Sequence, residues 1–197
     1  MERIITKIVR ESQSLKEGFI EKNTATLIHL AERVSDAFRG GRKLMLCGNG
    51  GSAADAQHIA AEFVNRFQME RSPLPALALT TDTSIITSVA NDYGYEEVFS
   101  KQILALGIQG DILLSLSTSG NSGNVCAAIR AAKKQGLYTV GFIGGDGGKM
   151  LKLVDLALVV ESSQTPRVQE VHILAGHTLC ELVEYLLFKR DSHVQLN

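Results

Sequence analysis

The sequence predicts an α/β fold of three layers, a doubly wound five-stranded parallel sheet with helices on both faces. Two observations carry this. Short runs such as residues 43–47 (KLMLC) and 111–117 (DILLSLS) are almost continuously apolar, as strands buried on both sides must be. Those runs alternate with amphipathic segments of helical length, which is the order a parallel sheet requires.

The elements follow in order. Residues 2–20 carry Ile4, Ile5, Ile8, Val9, Leu15 and Phe19 among charges, largely a helical stripe. Residues 24–39 repeat the pattern with Leu27, Leu30, Ala31, Val34 and Phe38, and glycine follows where a helix should stop. The expectation is a helical hairpin, residues 1–41, extending one domain that spans residues 1–197. Whether it packs on its own domain or on another subunit stays open. Strands are then expected at 43–47, 74–80, 111–117, 138–144 and 156–162. Helices are expected at 53–67, 83–92, 96–107, 121–136 and, briefly, 148–154. A long last helix runs from Pro166, whose missing N–H is harmless in a first turn, to Phe188.

Composition narrows the function. Charged residues make up 21% and the net charge is −1, so no general attraction to nucleic acid or anionic membrane is expected. Three cysteines, none in C-x-x-C, fit a reduced cytoplasmic compartment better than a disulfide framework. Charges interrupt the N-terminus, so no signal peptide is expected, and no unbroken apolar run suggests a membrane span.

In such folds ligands lie beyond the carboxyl ends of the strands. Two loops there are rich in small residues. Residues 48–53 (GNGGSA) match the G-x-G-x-x-A pattern of dinucleotide sites, with Asp82 following the next strand, but a lone match of this kind is a weak signal and a tight turn explains the glycines better. Residues 144–149 (GGDGGK) lack the first glycine and the final hydroxyl of a phosphate-binding P-loop and read as a turn. The second loop, LSTSGNSGN, surrounds Gly120 with Ser117, Thr118, Ser119 and Ser122 and precedes a helix. One hydroxyl suffices to cap a helix. Four, beside the free N–H groups of a helix N-terminus, point to a phosphate held without lysine.

Titratable groups gather on two helices. His58 and Glu62 are four residues apart and face one way. Gln169, His172 and His177 share the last helix; Gln169 and His177 are about 80° apart and roughly 12 Å apart along it. They meet at one point only by reaching toward each other or across subunits. His172 reads equally as a core histidine.

The segments CGNGGSAADAQHIAAEFVNRF, LTTDTS, ANDYG, LSTSGNSGNV and RVQEVHILAGHTLCELVE, in this order, resemble the sugar isomerase (SIS) domain family, with its flavodoxin-like sheet. The likeness covers nearly the whole chain. It is greatest to members that isomerise sedoheptulose 7-phosphate to D-glycero-D-manno-heptose 7-phosphate, a first step toward bacterial surface heptose. The resemblance implies a homotetramer with sites at subunit interfaces. It implies phosphate contacts from Ser117, Thr118, Ser119 and Ser122. It assigns sugar contacts to Asn49, Gly50, Gly51, Ser52, Asn91, Asp92 and Gln169, with Arg66 nearby. Glu62 becomes the base and His177 the acid. It also implies zinc on His58, Glu62, Gln169 and His177. Some members carry an acid three residues before the glutamine, where this chain has Pro166. Other readings are a non-catalytic tetramer that binds the replication initiator protein, an isomerase of another phosphosugar, and a sugar-phosphate sensor. The first is disfavoured by Glu62, which such relatives lack. The last is disfavoured because no DNA-binding module is attached.

Overall fold

The computed structural model describes residues 1–189. Its sheet has five strands, all parallel, in the order β2-β1-β3-β4-β5. These are β1 (Leu44–Cys47), β2 (Ala76–Ala78), β3 (Ile112–Ser117), β4 (Tyr138–Gly144) and β5 (Leu156–Val160). Every residue of β1 and β3 is buried, as their unbroken apolar runs predict. Alternate side chains go to opposite faces. Leu44, Leu46, Ile112, Leu114 and Leu116 enter one core, packed with α1 (Glu2–Arg39), α2 (Gly51–Val64) and α6 (Thr165–Glu184). Met45, Cys47 and Leu113 enter the other, packed with α3 (Thr83–Tyr93), α4 (Ser100–Leu106) and α5 (Gly123–Lys134).

The expected N-terminal hairpin is instead one helix of 38 residues, α1. The reason is local. The segment around residues 21–24, between the two apolar stripes, holds neither proline nor glycine. Its polar side chains return to the helix: Asn23 Nδ2 donates to the Phe19 carbonyl (2.9 Å) and Thr24 Oγ1 to that of Ile20 (2.7 Å). Among the described residues the apolar stripe is covered mainly in the second half. Leu27, Leu30, Ala31, Val34 and Phe38 are buried, whereas Ile4, Ile5, Ile8 and Val9 are exposed.

The expected helix at 148–154 is a single 3₁₀ turn, Met150–Lys152. The 96–107 segment divides into a 3₁₀ turn, Tyr95–Glu97, and α4. At the other end, α6 continues into a π turn, Tyr185–Lys189. By length and composition the Thr165–Lys189 helix, mean hydropathy 1.3, is long and apolar enough to cross a membrane. Here Val168, Val171, Ala175, Leu179 and Val183 bury its inner face in the α1–α2 core.

His172 lies on that inner face, 1% exposed, with neither ring nitrogen in a good hydrogen bond. Burial pushes its pKa down from 6.5 to about 4, offset only partly by the Ile143 backbone. The unfolded chain therefore takes up a proton near pH 6.5 that the folded chain refuses until about pH 4. Stability is full above the first value and falls by about 3 kcal/mol toward the second. Urea unfolding between pH 7 and 4.5 should show this loss, and His172→Leu should flatten it.

Candidate active site

The strand order changes direction beside β1, whose neighbours are β2 and β3. The crevice that opens there is the usual ligand position in such sheets. Two candidate loops leave it side by side, because Cys47 pairs in register with Ser115.

After β3, Ser117 is buried and its Oγ lies 3.2 Å from Ser122 Oγ while accepting from the Gly120 N–H (3.1 Å). Ser119 Oγ accepts from the Asn121 N–H at 3.2 Å. Ser122 is the N-cap residue of α5, yet its side chain makes no capping hydrogen bond. A hydroxyl at that position ordinarily closes its own helix. Here it remains beside the Gly123 and Asn124 N–H groups that open the helix, a combination suited to an anion.

After β1, Asn49 precedes Gly50, which holds a positive φ of 54°, and α2 starts at Gly51. Ser52 is buried in its first turn. Asn49 forms a reciprocal amide pair with Asn124 of α5: Asn49 Nδ2 donates to Asn124 Oδ1 (2.9 Å) and Asn124 Nδ2 to Asn49 Oδ1 (2.8 Å). Tyr95 Oη also donates to Asn49 Oδ1, at 3.1 Å. The sequence reading missed Asn124 and Tyr95. Asn124 lies 75 residues from its partner, so no local spacing announces the pair.

Helices α2 and α6 run side by side in the same direction. Gln169 sits against Gly51, so closely that a Cβ there would collide with its carboxamide. One level further, Ile59 packs where a Cβ on Gly176 would lie. There His58 Nε2 and His177 Nε2 are 2.8 Å apart, one donating to the other, and Glu62 Oε1 is 3.5 Å from His58 Nε2. The Phe67 ring stacks on His177 with 5.4 Å between centroids. Asp55, one turn before His58, has a carboxyl raised by burial, which the nearby His58 opposes.

Gln169 and His177 thus do not converge. They meet α2 at levels seven residues apart, roughly 10 Å along its axis. Nor do the remaining candidates join them through side-chain bonds. Asn91 and Asp92, exposed at the end of α3, hydrogen-bond to each other at 2.8 Å. Arg66 pairs weakly with Glu70, at 3.7 Å.

The far end of this helix pair is fixed by an ion pair the sequence reading did not single out. Arg71 and Glu184, with side chains 1% and 3% exposed, meet at 2.9 Å. Arg71 also donates to the carbonyls of Glu62 and Phe63, both at 2.8 Å. Glu184 accepts from the Phe67 and Gln68 amides, both at 3.0 Å. Burial alone would raise the Glu184 carboxyl; those amides and the guanidinium hold it below its ordinary value.

The zinc donor set can be tested on this geometry. Two imidazole nitrogens and a carboxylate are the right donors in kind. The nitrogens already face each other, and a tetrahedral ion would need them roughly 3.3 Å apart, a small outward movement from the bonded pair. As they stand, no three His, Cys, Asp or Glu side chains among the described residues are arranged to hold a metal ion. Gln169, turned toward Gly51, would have to swing toward the imidazoles.

Together the crevice offers an anion seat and an amide-lined middle, and an imidazole–carboxylate cluster lies further along α2, groups suited to a phosphosugar. Comparison with known proteins agrees. Residues 8–144 match the SIS domain family, and the chain belongs to it. It is 53% identical over 193 residues to a phosphoheptose isomerase of Nitratidesulfovibrio vulgaris, covering 98% of this chain and 93% of that one. A phosphoheptose isomerase of Roseiflexus sp. is 56% identical over 181 residues, covering 92% of each. Among solved structures, the phosphoheptose isomerase of Neisseria gonorrhoeae superposes with a TM-score of 0.88 at 40% identity, covering 93% of this chain and 98% of that one.

Removing Arg71 leaves Glu184 buried without its cation. Arg71→Met is expected to cost about 3–5 kcal/mol of folding stability in denaturant titration. Glu184→Gln in the same chain should restore part of it.

Proposed function

We propose that the protein is an aldose–ketose isomerase that converts sedoheptulose 7-phosphate to D-glycero-D-manno-heptose 7-phosphate. The family and the identity to phosphoheptose isomerases over nearly the full length support this reading. The observation that carries it on the chemical side is the Glu62–His58–His177 cluster, built between α6 and the helix that starts from the Asn49 loop.

In this reading Ser117, Thr118, Ser119 and Ser122, with the first N–H groups of α5, hold the phosphate. Its binding orients a sugar whose reacting carbons lie at the opposite end. Asn49, Gly50, Gly51, Ser52, Asn91, Asp92 and Gln169 contact the hydroxyls. Glu62 removes a proton from C1 and returns it at C2, through an enediol. A carboxylate can do both halves of that transfer. His177 opens the ring and moves the proton between O1 and O2, a role suited to imidazole near neutral pH.

The active assembly is a homotetramer in the cytoplasm. Two features support association. The apolar residues Ile4, Ile5, Ile8 and Val9 are uncovered on α1. Glu62 also stands eleven residues beyond Gly51, roughly 16 Å along α2. A seven-carbon sugar phosphate, at roughly 1.3 Å per bond, reaches only about 10 Å. A substrate seated on one copy's serine loop would meet the acid–base cluster of another.

Zinc held by His58, Glu62, Gln169 and His177 would supply Lewis-acid polarisation of a sugar oxygen. Coordination would also weaken Glu62 as a base, since the metal competes for the same lone pairs.

Two measurements test the reading. Glu62→Gln should keep its fold by circular dichroism and lose about 100- to 10,000-fold in kcat on sedoheptulose 7-phosphate. Near-normal turnover would remove Glu62 from the base role. For the metal, zinc titration of metal-free protein followed by calorimetry should show binding that His177→Ala abolishes; equal binding by both proteins would reject this ligand set.

A further inference from the structure

The Asn49–Asn124 pair determines what Asn49 has left to offer a ligand. The atoms are assigned by chemistry. A backbone N–H can only donate, and that of Val125 meets Asn124 at 2.9 Å, so the atom it meets is Oδ1. The same oxygen faces Asn49 at 2.9 Å, so the Asn49 atom there must be Nδ2, the donor. Asn124 Nδ2 then faces Asn49 Oδ1, at 2.8 Å. Tyr95 Oη takes the second lone pair of that oxygen, at 3.1 Å. Both acceptor sites and one hydrogen of the Asn49 carboxamide are thereby occupied. One N–H remains.

We propose that Asn124 is a positioning residue for the isomerase reaction: with Tyr95 it fixes Asn49 as a single N–H donor toward a sugar oxygen. The inference rests on the reading above, in which Asn49 contacts the sugar. Burial makes the device effective. Asn124 is 4% exposed, so water does not compete for the pair, and two antiparallel amide bonds leave the Asn49 side chain no other orientation. The pair also joins the two ends of the crevice. Asn124 sits two residues after Ser122 in the first turn of α5, and Asn49 sits two residues before the start of α2. The α5 turn that holds the phosphate therefore also sets the amide that meets the sugar. An amide free to rotate would present its carbonyl as often as its N–H and would bind the sugar oxygen in only part of the population.

Coupled kinetics test this, since a positioning residue acts only through the group it positions. The isomerase is assayed as Asn49→Ala, Asn124→Ala and the double variant, with melting temperatures recorded beside kcat and KM. Asn124→Ala should lower kcat/KM about tenfold or more, approaching the loss in Asn49→Ala, and the double variant should lie within about threefold of Asn49→Ala. Multiplying losses would overturn the proposal, because a general structural defect adds to the loss of Asn49. If Asn49→Ala is impaired and Asn124→Ala is not, the proposal fails while the sugar contact stands. An unimpaired Asn49→Ala overturns both. Tyr95→Phe, which deletes one exposed hydroxyl, keeps the test decisive if Asn124→Ala does not fold. It should lower kcat/KM about threefold in the native background and have no effect beside Asn49→Ala; an equal effect in both backgrounds overturns the proposal.

Discussion

The position of β1 between β2 and β3 is the constraint on which the rest depends. With neighbours on both sides, β1 must be buried on both faces and bonded along both edges, and the chain leaving it rises into the crevice between diverging connections. The loop after β1 becomes the start of α2 and the loop after β3 becomes the start of α5. Two helix N-termini are brought to one edge. The polar groups that a helix cannot satisfy by itself are gathered where a ligand can use them. Ser122 illustrates the result: it occupies the capping position and withholds its side chain from capping.

The second organising contact is the parallel pair α2–α6. It is held apart from solvent at its far end by Arg71 and Glu184, whose bonds reach the carbonyls of Glu62 and Phe63 and the amides of Phe67 and Gln68. A buried ion pair is not a strong source of stability in itself. Its effect here is alignment. The guanidinium grips the last turn of α2, which carries Glu62, and the carboxylate fixes α6 about two turns beyond His177. Phe67, anchored through its own amide, then stacks on that imidazole.

How far the sequence discloses this differs from element to element. The strands were legible because a parallel sheet buried on both sides leaves nothing but apolar residues, and the helices between them because their apolar spacing is regular. The N-terminal hairpin does not form because the polar residues between its two apolar stripes continue the helix; Asn23 and Thr24 bond carbonyls one turn back, which composition does not reveal. The serine loop was legible as an excess of hydroxyls over what a cap needs. His58 and Glu62 were legible as neighbours on one helix face. The meeting of His58 with His177 was not, since it depends on the register of two helices with four strands of chain between them. Asn124 was invisible for a related reason: its first-turn position reads as an ordinary helix start, and only the fold supplies Asn49.

Gly176 shows what such a register demands. Ile59 fills the space where this residue's Cβ would be, so the approach of α6 to α2 is set by a missing methyl group. Alanine is the better helix former by about 1 kcal/mol. At this position that gain would be converted into separation, spreading the imidazoles of His58 and His177 on the very next residues. A stabilising substitution by the rules of helix design would thus part the two imidazoles, so the weaker helix former is what keeps them in contact.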